Sequence, residues 1–343
     1  MDPLTQGLLG AAAAQAVFGR RLRRAWLVGA VAGLAPDADV LISSASDPLL
    51  TIEYHRQFTH SLVFIPVGGA LCAAPFLARR ANRAQWRPIL GASVLAYATH
   101  GLLDAFTTYG TQLLWPFSKL RVAWDAIAII DPVFTLALLI GVMWAALRRY
   151  RAPSVAALLF CALYVASGLL QHHRALEVQA RIAEARGHER ERGEAFPTLG
   201  NQWVWRSLYQ ADGVLYADRI RVSWTGEVSW TEGTQVPLMS EHDLAPEIRE
   251  NERTLRDFRR FQWFSNGWIA RAPDDAEVIG DVRYSLRTHV FEPIWGVRFR
   301  PEAPVPTEWV NRTADRELSL TSLWAEVIGT HPDYRRLDFD GGY

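Results

Sequence analysis

The sequence is poor in cysteine, and the cysteines it has are badly placed for chemistry. Only Cys72 and Cys161 occur in 343 residues, and both fall within apolar runs. Neither has the neighbours of a metal-binding or redox pair. The part of the chain after residue 170 has none, which excludes disulfide bonds there even in an oxidising compartment. We therefore expect both cysteines to be packing residues.

The chain also lacks an excess of charge of either sign. Its 36 Lys and Arg residues balance 36 Asp and Glu residues, so the formal net charge is zero with His neutral. Proteins that bind nucleic acid usually carry a basic patch and a high isoelectric point. No nucleic-acid partner is expected. A cleavable signal peptide is not expected either, because the first basic cluster follows the first apolar run.

Apolar residues are distributed unevenly along the chain. The mean hydropathy is close to zero, but it averages two unlike parts. Residues 1–170 are rich in Ala, Leu, Val and Gly, whereas later residues carry most of the acidic side chains. This pattern predicts a transmembrane helical domain over 1–170, a charged helical extension or linker over 171–195, and an extracytoplasmic α+β domain over 196–343.

Six apolar runs lie in the first of these regions. A hydrocarbon core needs roughly 20 helical residues, with about 17 as the lower limit. The runs therefore predict a membrane all-α fold of about six transmembrane or re-entrant helices, of which the first is the shortest. They cover residues 4–18, 25–42, 62–78, 89–106, 126–147 and 155–170.

Arginine-rich loops predict the orientation of these spans. They lie at 20–24, 79–87 and 148–151, and basic residues in short loops stay in the cytoplasm. Alternating spans place all three loops on the same side. The connections 43–61 and 107–125, and everything after the sixth span, then face outward. The expected location is a bacterial inner (cytoplasmic) membrane, multi-pass, with the C-terminal domain on the extracytoplasmic side.

The region after residue 195 predicts a soluble α+β domain with an antiparallel sheet. Residues 214–224, 277–286 and 290–299 alternate between apolar and polar side chains, which is typical of strands. Helical patterns lie around 246–264 and 319–328. We find no nucleophile elbow, glycine-rich phosphate loop or Cys/His metal box here.

Ionisable residues gather at the outer ends of the predicted spans. Such residues cost roughly 2.5–3.5 kcal/mol each on insertion scales, so they suggest a functional site. The predicted topology brings all of them to one membrane face. They are Asp37, Asp39, His55, His60, His100 and Asp104.

The spacing of these residues is suited to a metal ion. His100 and Asp104 are four residues apart and share one face of a helix. Imidazole and carboxylate ligands suit zinc, and they exclude neither manganese nor iron. We predict Asp39 and His60 as the two further ligands of a divalent metal ion.

Three more residues have predicted roles beside the metal. A bound metal lowers the pKa of its water toward ~7, and a nearby Asp or His can take the proton. Asp37 and His55 are the predicted catalytic residues, although they could also orient ligands or bind a second ion. Arg56 is the predicted substrate-binding residue, because a guanidinium can hold an anionic group such as phosphate.

Each residue also has an ordinary structural interpretation. Asp37 follows a proline and could simply end a helix. Thr59 and His60 could form the amino cap of a span, since Thr is a good N-cap. His100 and Asp104 could be a buried hydrogen-bonded pair that ties helices together. The convergence of all six residues on one face favours the metal site.

Residues 1–170 resemble the YdjM-like family of bacterial inner-membrane metal-dependent hydrolases. The resemblance implies a hydrolase whose metal is held by the His and Asp residues of the matching segments. Many relatives carry a histidine where this chain has Gln6, and some carry one at Val40. The matching segments are Pro36-Asp37-Ala38-Asp39, His55-Arg56-Gln57-Phe58-Thr59-His60-Ser61, His100-Gly101-Leu102-Leu103-Asp104, residues 107–117 and residues 1–5.

Three hypotheses for the function follow. The first is a membrane-bound metal-dependent hydrolase that uses a metal-activated water at the outer face of the inner membrane. Its substrate would be a lipid or another amphipathic ester or phosphoester, and the bilayer its main partner. The second is an ion-binding or transport protein, because ionisable groups in spans also mark ion pathways. The third is a non-catalytic membrane anchor whose outer domain binds a partner.

Overall fold

The computed structural model describes residues 1–315 and 319–337. They form two compact units. The amino-terminal unit comprises Met1–Ile42, Tyr54–Leu170 and Leu199–Asn201. The carboxy-terminal unit comprises Ser43–Glu53, Gln171–Thr198 and the described residues from Gln202 onward.

The amino-terminal unit is helical. Short 3-10 turns at Ala35–Leu41, Phe58–His60, Leu62–Phe64 and Arg80–Gln85 separate several of its helices. Helix α3 begins in the segment that belongs to the other unit, and α7 contributes residues to both units. The helices are α1 (Pro3–Phe18), α2 (Ala25–Leu34), α3 (Leu50–Tyr54), α4 (Ile65–Ala78), α5 (Trp86–Asp104), α6 (Pro132–Arg148) and α7 (Ala152–Ala185).

The expectation of about six transmembrane or re-entrant helices is wrong. Within the described residues, only α7 is long and apolar enough to cross a membrane. The number of possible crossings rises to two if the bent helix pair Leu50–His60 and Leu62–Ala78 forms one span. Helices α1 and α6 have only 16 and 17 residues, and some of the other apolar runs are divided by breaks. The run 25–42 is an example, because helix α2 ends at Leu34 and the chain then tightens into a 3-10 helix with Pro36 in its first turn.

Glycines bring α1 and α2 into close contact. A Cβ at Gly10 would collide with the carbonyl oxygen of Gly29, and a Cβ at Gly29 would collide with that of Gly10. A Cβ at Gly33 would lie 2.7 Å from the carbonyl oxygen of Gln6. The absence of side chains at these positions allows the two backbones to touch. The contact sets the spacing between Gln6 and the residues that follow α2.

The carboxy-terminal unit is rich in antiparallel sheet. A six-stranded sheet has the order β1-β2-β3-β4-β10, with β5 also pairing with β3, and a four-stranded sheet has the order β6-β7-β8-β9. The strands are β1 (Arg192–Pro197), β2 (Val204–Ala211), β3 (Val214–Val222), β4 (Val228–Thr231), β5 (Gln235–Pro237), β6 (Ile269–Ala272), β7 (Asp275–Asp281), β8 (Trp295–Phe299), β9 (Thr307–Asn311) and β10 (Arg335–Arg336).

The sequence explains the tight connection between β2 and β3. Asp212 and Gly213 form a two-residue turn in which both φ angles are positive, at 50° and 72°. Asp-Gly is favoured in such turns because its backbone twist matches that of the flanking strands. The turn fixes the register in which Ala211 pairs with Val214.

Helices pack on these sheets. The distal part of α7 packs Ala175, Val178 and Ile182 against Trp205 and Ile220. Three further helices are α8 (Pro246–Glu250), α9 (Glu252–Phe264) and α10 (Leu320–Ile328). On α9, the side chains of Phe258, Phe261 and Phe264 are fully buried. Burial of a large aromatic side chain contributes about 1.5–3 kcal/mol, so α9 is a firmly held element.

Candidate metal centre

Four ligand atoms from three segments converge in the amino-terminal unit. His60 Nε2 lies 3.5 Å from Asp37 Oδ1 and 3.3 Å from Asp104 Oδ2. His100 Nε2 lies 3.2 Å from the same Asp37 oxygen and 3.5 Å from the same Asp104 oxygen. Ligands held about 2.0–2.1 Å from a tetrahedral zinc ion lie roughly 3.3 Å apart. Four of the six distances between the ligand atoms thus match that spacing, and all four atoms lie within 4.8 Å of one another.

Two of these atoms are buried and have no hydrogen-bond partner among the described residues. They are His60 Nε2 and Asp104 Oδ2. A buried polar atom without a partner is costly, by about 1–3 kcal/mol, and is rare in folded proteins. A divalent ion between the four atoms would satisfy both. The residues present therefore fit a metal ion.

The opposite ring nitrogen of each histidine is held in the way that metal-binding histidines usually are. His100 Nδ1 lies 2.5 Å from the carbonyl oxygen of Gly33 and can only donate to it. His60 Nδ1 lies 2.9 Å from Thr59 Oγ1, which itself donates to Asp39 Oδ2, and it lies 3.2 Å from that carboxylate oxygen. A hydrogen bond from Nδ1–H to a carbonyl or carboxylate fixes the tautomer and leaves Nε2 free to bind a metal. Both rings are thus oriented for metal binding.

Asp39 lies behind His60 and is surrounded by donors. It accepts hydrogen bonds from the backbone N–H of Arg56 at 3.0 Å and from Thr59 Oγ1 at 2.7 Å. His55 Nδ1 lies 2.7 Å from its other oxygen. Asp39 also forms a second possible metal-binding group with Asp37 and His55. The predicted ligand role of Asp39 remains a prediction, as do the catalytic roles of Asp37 and His55.

The local backbone explains why Asp37 and Asp39 have different neighbours. Both lie in the 3-10 helix Ala35–Leu41, where side chains two positions apart point in different directions. Asp37 is directed toward the two Nε2 atoms and keeps a side chain that is 20% exposed, whereas the side chain of Asp39 is fully buried. Asp37 is consequently the solvent-facing member of the four-ligand cluster.

Gln6 supports Asp104, a role that sequence reasoning missed. Its Nε2 donates to Asp104 Oδ1 at 2.8 Å, and the Met1 amino nitrogen contacts the same oxygen. With Oδ1 occupied, Oδ2 is the oxygen directed toward the two histidines. The sequence shows that this chain has Gln6 where many relatives have a histidine. The contact of Gln6 with Asp104, however, depends on the packing of α1 against α5.

Arg56 is buried beside the cluster. Its Nε lies 3.2 Å from Asp104 Oδ2, its Nη1 donates to Thr107 Oγ1 at 2.8 Å, and its guanidinium lies 4.7 Å from the centre of the Tyr109 ring. Its φ of 63° is unusual for a residue other than glycine. Arg56 therefore places a fixed positive charge next to the candidate metal position.

The amino-terminal unit is thus a helical unit that carries a cluster of His and Asp side chains suited to a metal ion. The profile of the family described as "YdjM inner membrane protein" matches residues 1–175. The chain belongs to this family, and it is an inner-membrane protein.

Two curated proteins are similar to this chain. One is "Inner membrane protein YbcI" of Escherichia coli (strain K12), 37% identical over 100 residues, which cover 29% of this chain and 57% of that protein. The other is "Uncharacterized protein YfhP" of Bacillus subtilis (strain 168), 29% identical over 145 residues, which cover 42% of each chain. The chain thus spans less than two thirds of either relative. No solved structure matches it.

Proposed function

We propose that the chain is a metal-dependent hydrolase that acts on a lipid or another amphipathic ester or phosphoester at the outer face of the inner membrane. One observation carries the proposal. The Nε2 atoms of His60 and His100 and one oxygen each of Asp37 and Asp104 converge at the spacing of metal ligands, and two of these atoms have no hydrogen-bond partner among the described residues.

The burial of the four ligands divides their roles. The side chains of His60, His100 and Asp104 are fully buried, whereas that of Asp37 is 20% exposed. Catalytic zinc sites usually have three protein ligands and one open position. In our proposal, His60, His100 and Asp104 hold the ion and Asp37 lies at the open side. Zinc suits this ligand set best, and manganese or iron would also fit.

The remaining residues would bind the substrate and move a proton. A divalent ion supplies Lewis acidity and lowers the pKa of a coordinated water. Asp37 would accept a proton at its carboxylate, because it is the partly exposed member of the cluster and lies at the open side. His55, whose partly exposed ring is held by Asp39, would donate its own proton to the leaving group and regain one from solvent, to which Asp37 releases the proton it accepted. Arg56 would bind the anionic group of the substrate.

The test of this proposal is metal-dependent hydrolysis by the purified full-length chain in lipid nanodiscs. We expect release of product from a panel of phospholipids and neutral lipid esters after addition of Zn²⁺ or Mn²⁺, and its loss in His100→Ala. His173→Ala is a matched control, because that side chain is 71% exposed and pairs with the exposed Glu177. Stoichiometric metal without turnover on any substrate would instead favour an ion-binding or transport protein.

The orientation in the membrane is a separate proposal. Arg148, Arg149 and Arg151 precede the apolar part of α7, and charged residues follow it from Arg174 onward. The positive-inside rule places the arginines in the cytoplasm, so we infer that the carboxy-terminal unit is extracytoplasmic. Alkaline phosphatase fused after Tyr343 should then be active in a bacterial host. An inactive phosphatase with a fluorescent cytoplasmic reporter at the same position would reverse the orientation.

A further inference from the structure

The segment Ser43–Glu53 connects two parts of the candidate metal centre. Along the chain it lies between Asp39 and His55. By its contacts it belongs to the carboxy-terminal unit, whereas Asp39 and His55 belong to the amino-terminal unit. Whatever holds this segment in the carboxy-terminal unit therefore acts on the chain that leads directly into His55 and Arg56.

Arg260 on α9 holds the segment at two points. Its Nη1 donates to Asp47 Oδ1 at 2.9 Å. Its Nε and Nη2 donate to Glu53 Oε2 at 3.0 and 2.6 Å. Charge-assisted hydrogen bonds from a planar guanidinium are stronger and more directional than those between neutral groups. One side chain thus binds both Asp47, in the middle of the segment, and Glu53, its last residue.

Arg260 is itself held rigidly. Its Nη1 also donates to Asp257 Oδ1 at 3.0 Å, one turn earlier on the same helix. Asp257 is buried, and its other oxygen accepts a hydrogen bond from Thr307 Oγ1 in β9 at 2.7 Å. Because α9 is fixed by its buried phenylalanines, the guanidinium is a firm anchor rather than a mobile surface charge.

Other contacts keep the segment in place. Leu49 is fully buried, its backbone N–H donates to Asp47 Oδ1 at 3.1 Å, and Arg253 donates to the carbonyl oxygen of Ser46. Partial burial of Asp47 would raise its pKa, but the hydrogen bond and charge of Arg260 outweigh burial and lower the pKa of Asp47. The Asp47 carboxylate is accordingly ionised at neutral pH, as the ion pair requires.

The held end of the segment is two residues from the metal centre. After Glu53 come Tyr54 and His55, and then Arg56 in its left-handed conformation. The N–H of Arg56 and the ring of His55 both bind Asp39. Such a backbone conformation costs about 1–3 kcal/mol and persists only where the surroundings enforce it. Fixing Glu53 restricts the chain from which His55 and Arg56 project.

We propose that Arg260 is a positioning residue for the candidate metal centre. Its ion pairs with Asp47 and Glu53 fix the backbone that presents His55 and Arg56. The effect on hydrolysis rests on the proposed function, whereas the effect on the conformation of residues 54–57 does not. The carboxy-terminal unit would thereby have a defined task, which is to order the substrate-binding side of the centre.

The experiment compares Arg260→Ala with Arg259→Ala in the full-length chain. Arg259 is its exposed neighbour, and it pairs with Glu241 instead of with the segment. For Arg260→Ala we expect amide hydrogen exchange of residues 54–57 to rise about tenfold and kcat/KM to fall about tenfold. Metal content should stay at the parent level, because His60, His100 and Asp104 lie outside the segment. Arg260→Lys should be intermediate, since one ammonium group cannot bridge both carboxylates.

A second variant removes the same ion pairs without changing α9. The double substitution Asp47→Asn with Glu53→Gln should reproduce the faster exchange of residues 54–57. Unchanged exchange at 54–57 in both variants, with faster exchange confined to 43–53, would overturn the positioning role. If the parent protein shows no turnover but the exchange result holds, the proposed function fails and the positioning role of Arg260 stands.

Discussion

His60→Ala and His100→Ala each remove most of the bound metal from the purified chain, from about one ion per molecule to less than about a tenth. Each substitution deletes a proposed Nε2 ligand whose ring is oriented by a partner on its other nitrogen. Loss of such an orienting partner alone typically costs 10–100-fold in metal affinity, so we expect loss of a ligand to cost roughly 1,000-fold or more. Metal content is measured by mass spectrometry after dialysis, and hydrolysis should disappear with the metal.

The control for this result is His173→Ala, which removes an exposed histidine from α7. It should keep both metal and helical circular dichroism at the parent level. Full metal content in either His60→Ala or His100→Ala would show that the ion is bound elsewhere. Loss of metal together with loss of the helical signal would point to misfolding. Metal titration of the remaining folded protein would then show whether the metal is lost through misfolding or through removal of the histidine.

Gly101→Ala lowers metal affinity by roughly 10–100-fold although it leaves every ligand in place. A Cβ at Gly101 would collide with the carbonyl oxygen of His60 and lie 3.4 Å from its Cα. Both contacts are with backbone, so rotation of a side chain cannot relieve them. The 3-10 turn Phe58–His60 must then move away from α5, which separates the Nε2 atoms of His60 and His100. Isothermal titration with Zn²⁺ measures the change.

Gly141→Ala is the control that separates a local effect on metal affinity from the general effect of an added methyl group between packed helices. A Cβ at Gly141 would lie 2.5 Å from the Cβ of Ala157 and 2.9 Å from the carbonyl oxygen of Pro153, in the contact between α6 and α7. It should lower the thermal midpoint but leave the metal affinity of the folded protein unchanged. Equal affinity losses in Gly101→Ala and Gly141→Ala would show that His60 and His100 are not held by the local contact.

Part of the site follows from the sequence because it depends on local geometry. The four-residue spacing of His100 and Asp104 places both on one face of a helix, and α5 ends at Asp104 with both side chains in the cluster. The assignment of Asp37 and Asp39 depends on the 3-10 helix after Pro36. An apolar run with two acidic residues near its end does not reveal that change of helix type.

The predicted number of membrane crossings was wrong because hydropathy does not reveal where a helix breaks. Hydropathy counts apolar residues, whereas a crossing needs an unbroken helix of sufficient length. The run 25–42 is divided after Leu34, and the run 62–78 begins with a separate 3-10 turn before α4. Helix α7 is both apolar and long enough to cross a membrane, because its apolar residues continue without a break. The glycine contacts between α1 and α2 likewise depend on tertiary packing.

Long-range contacts were beyond sequence reasoning. Gln6 contacts Asp104 from 98 residues away along the chain, and Arg260 contacts Glu53 from 207 residues away. Neither pair has a periodic or motif signal. In the carboxy-terminal unit, by contrast, the alternating pattern at 214–224 contains β3 (Val214–Val222), because strand alternation is a local property of the sequence.

X-ray absorption spectroscopy of the purified, metal-loaded full-length chain tests the central claim most directly. We predict one divalent ion per chain, with two imidazole nitrogens and carboxylate or water oxygens at about 2.0–2.1 Å, and less than about a tenth of that metal signal in His60→Ala. A spectrum without imidazole ligands, or a parent protein that binds no metal at micromolar concentration, would contradict the assignment of His60, His100, Asp104 and Asp37 to a metal centre.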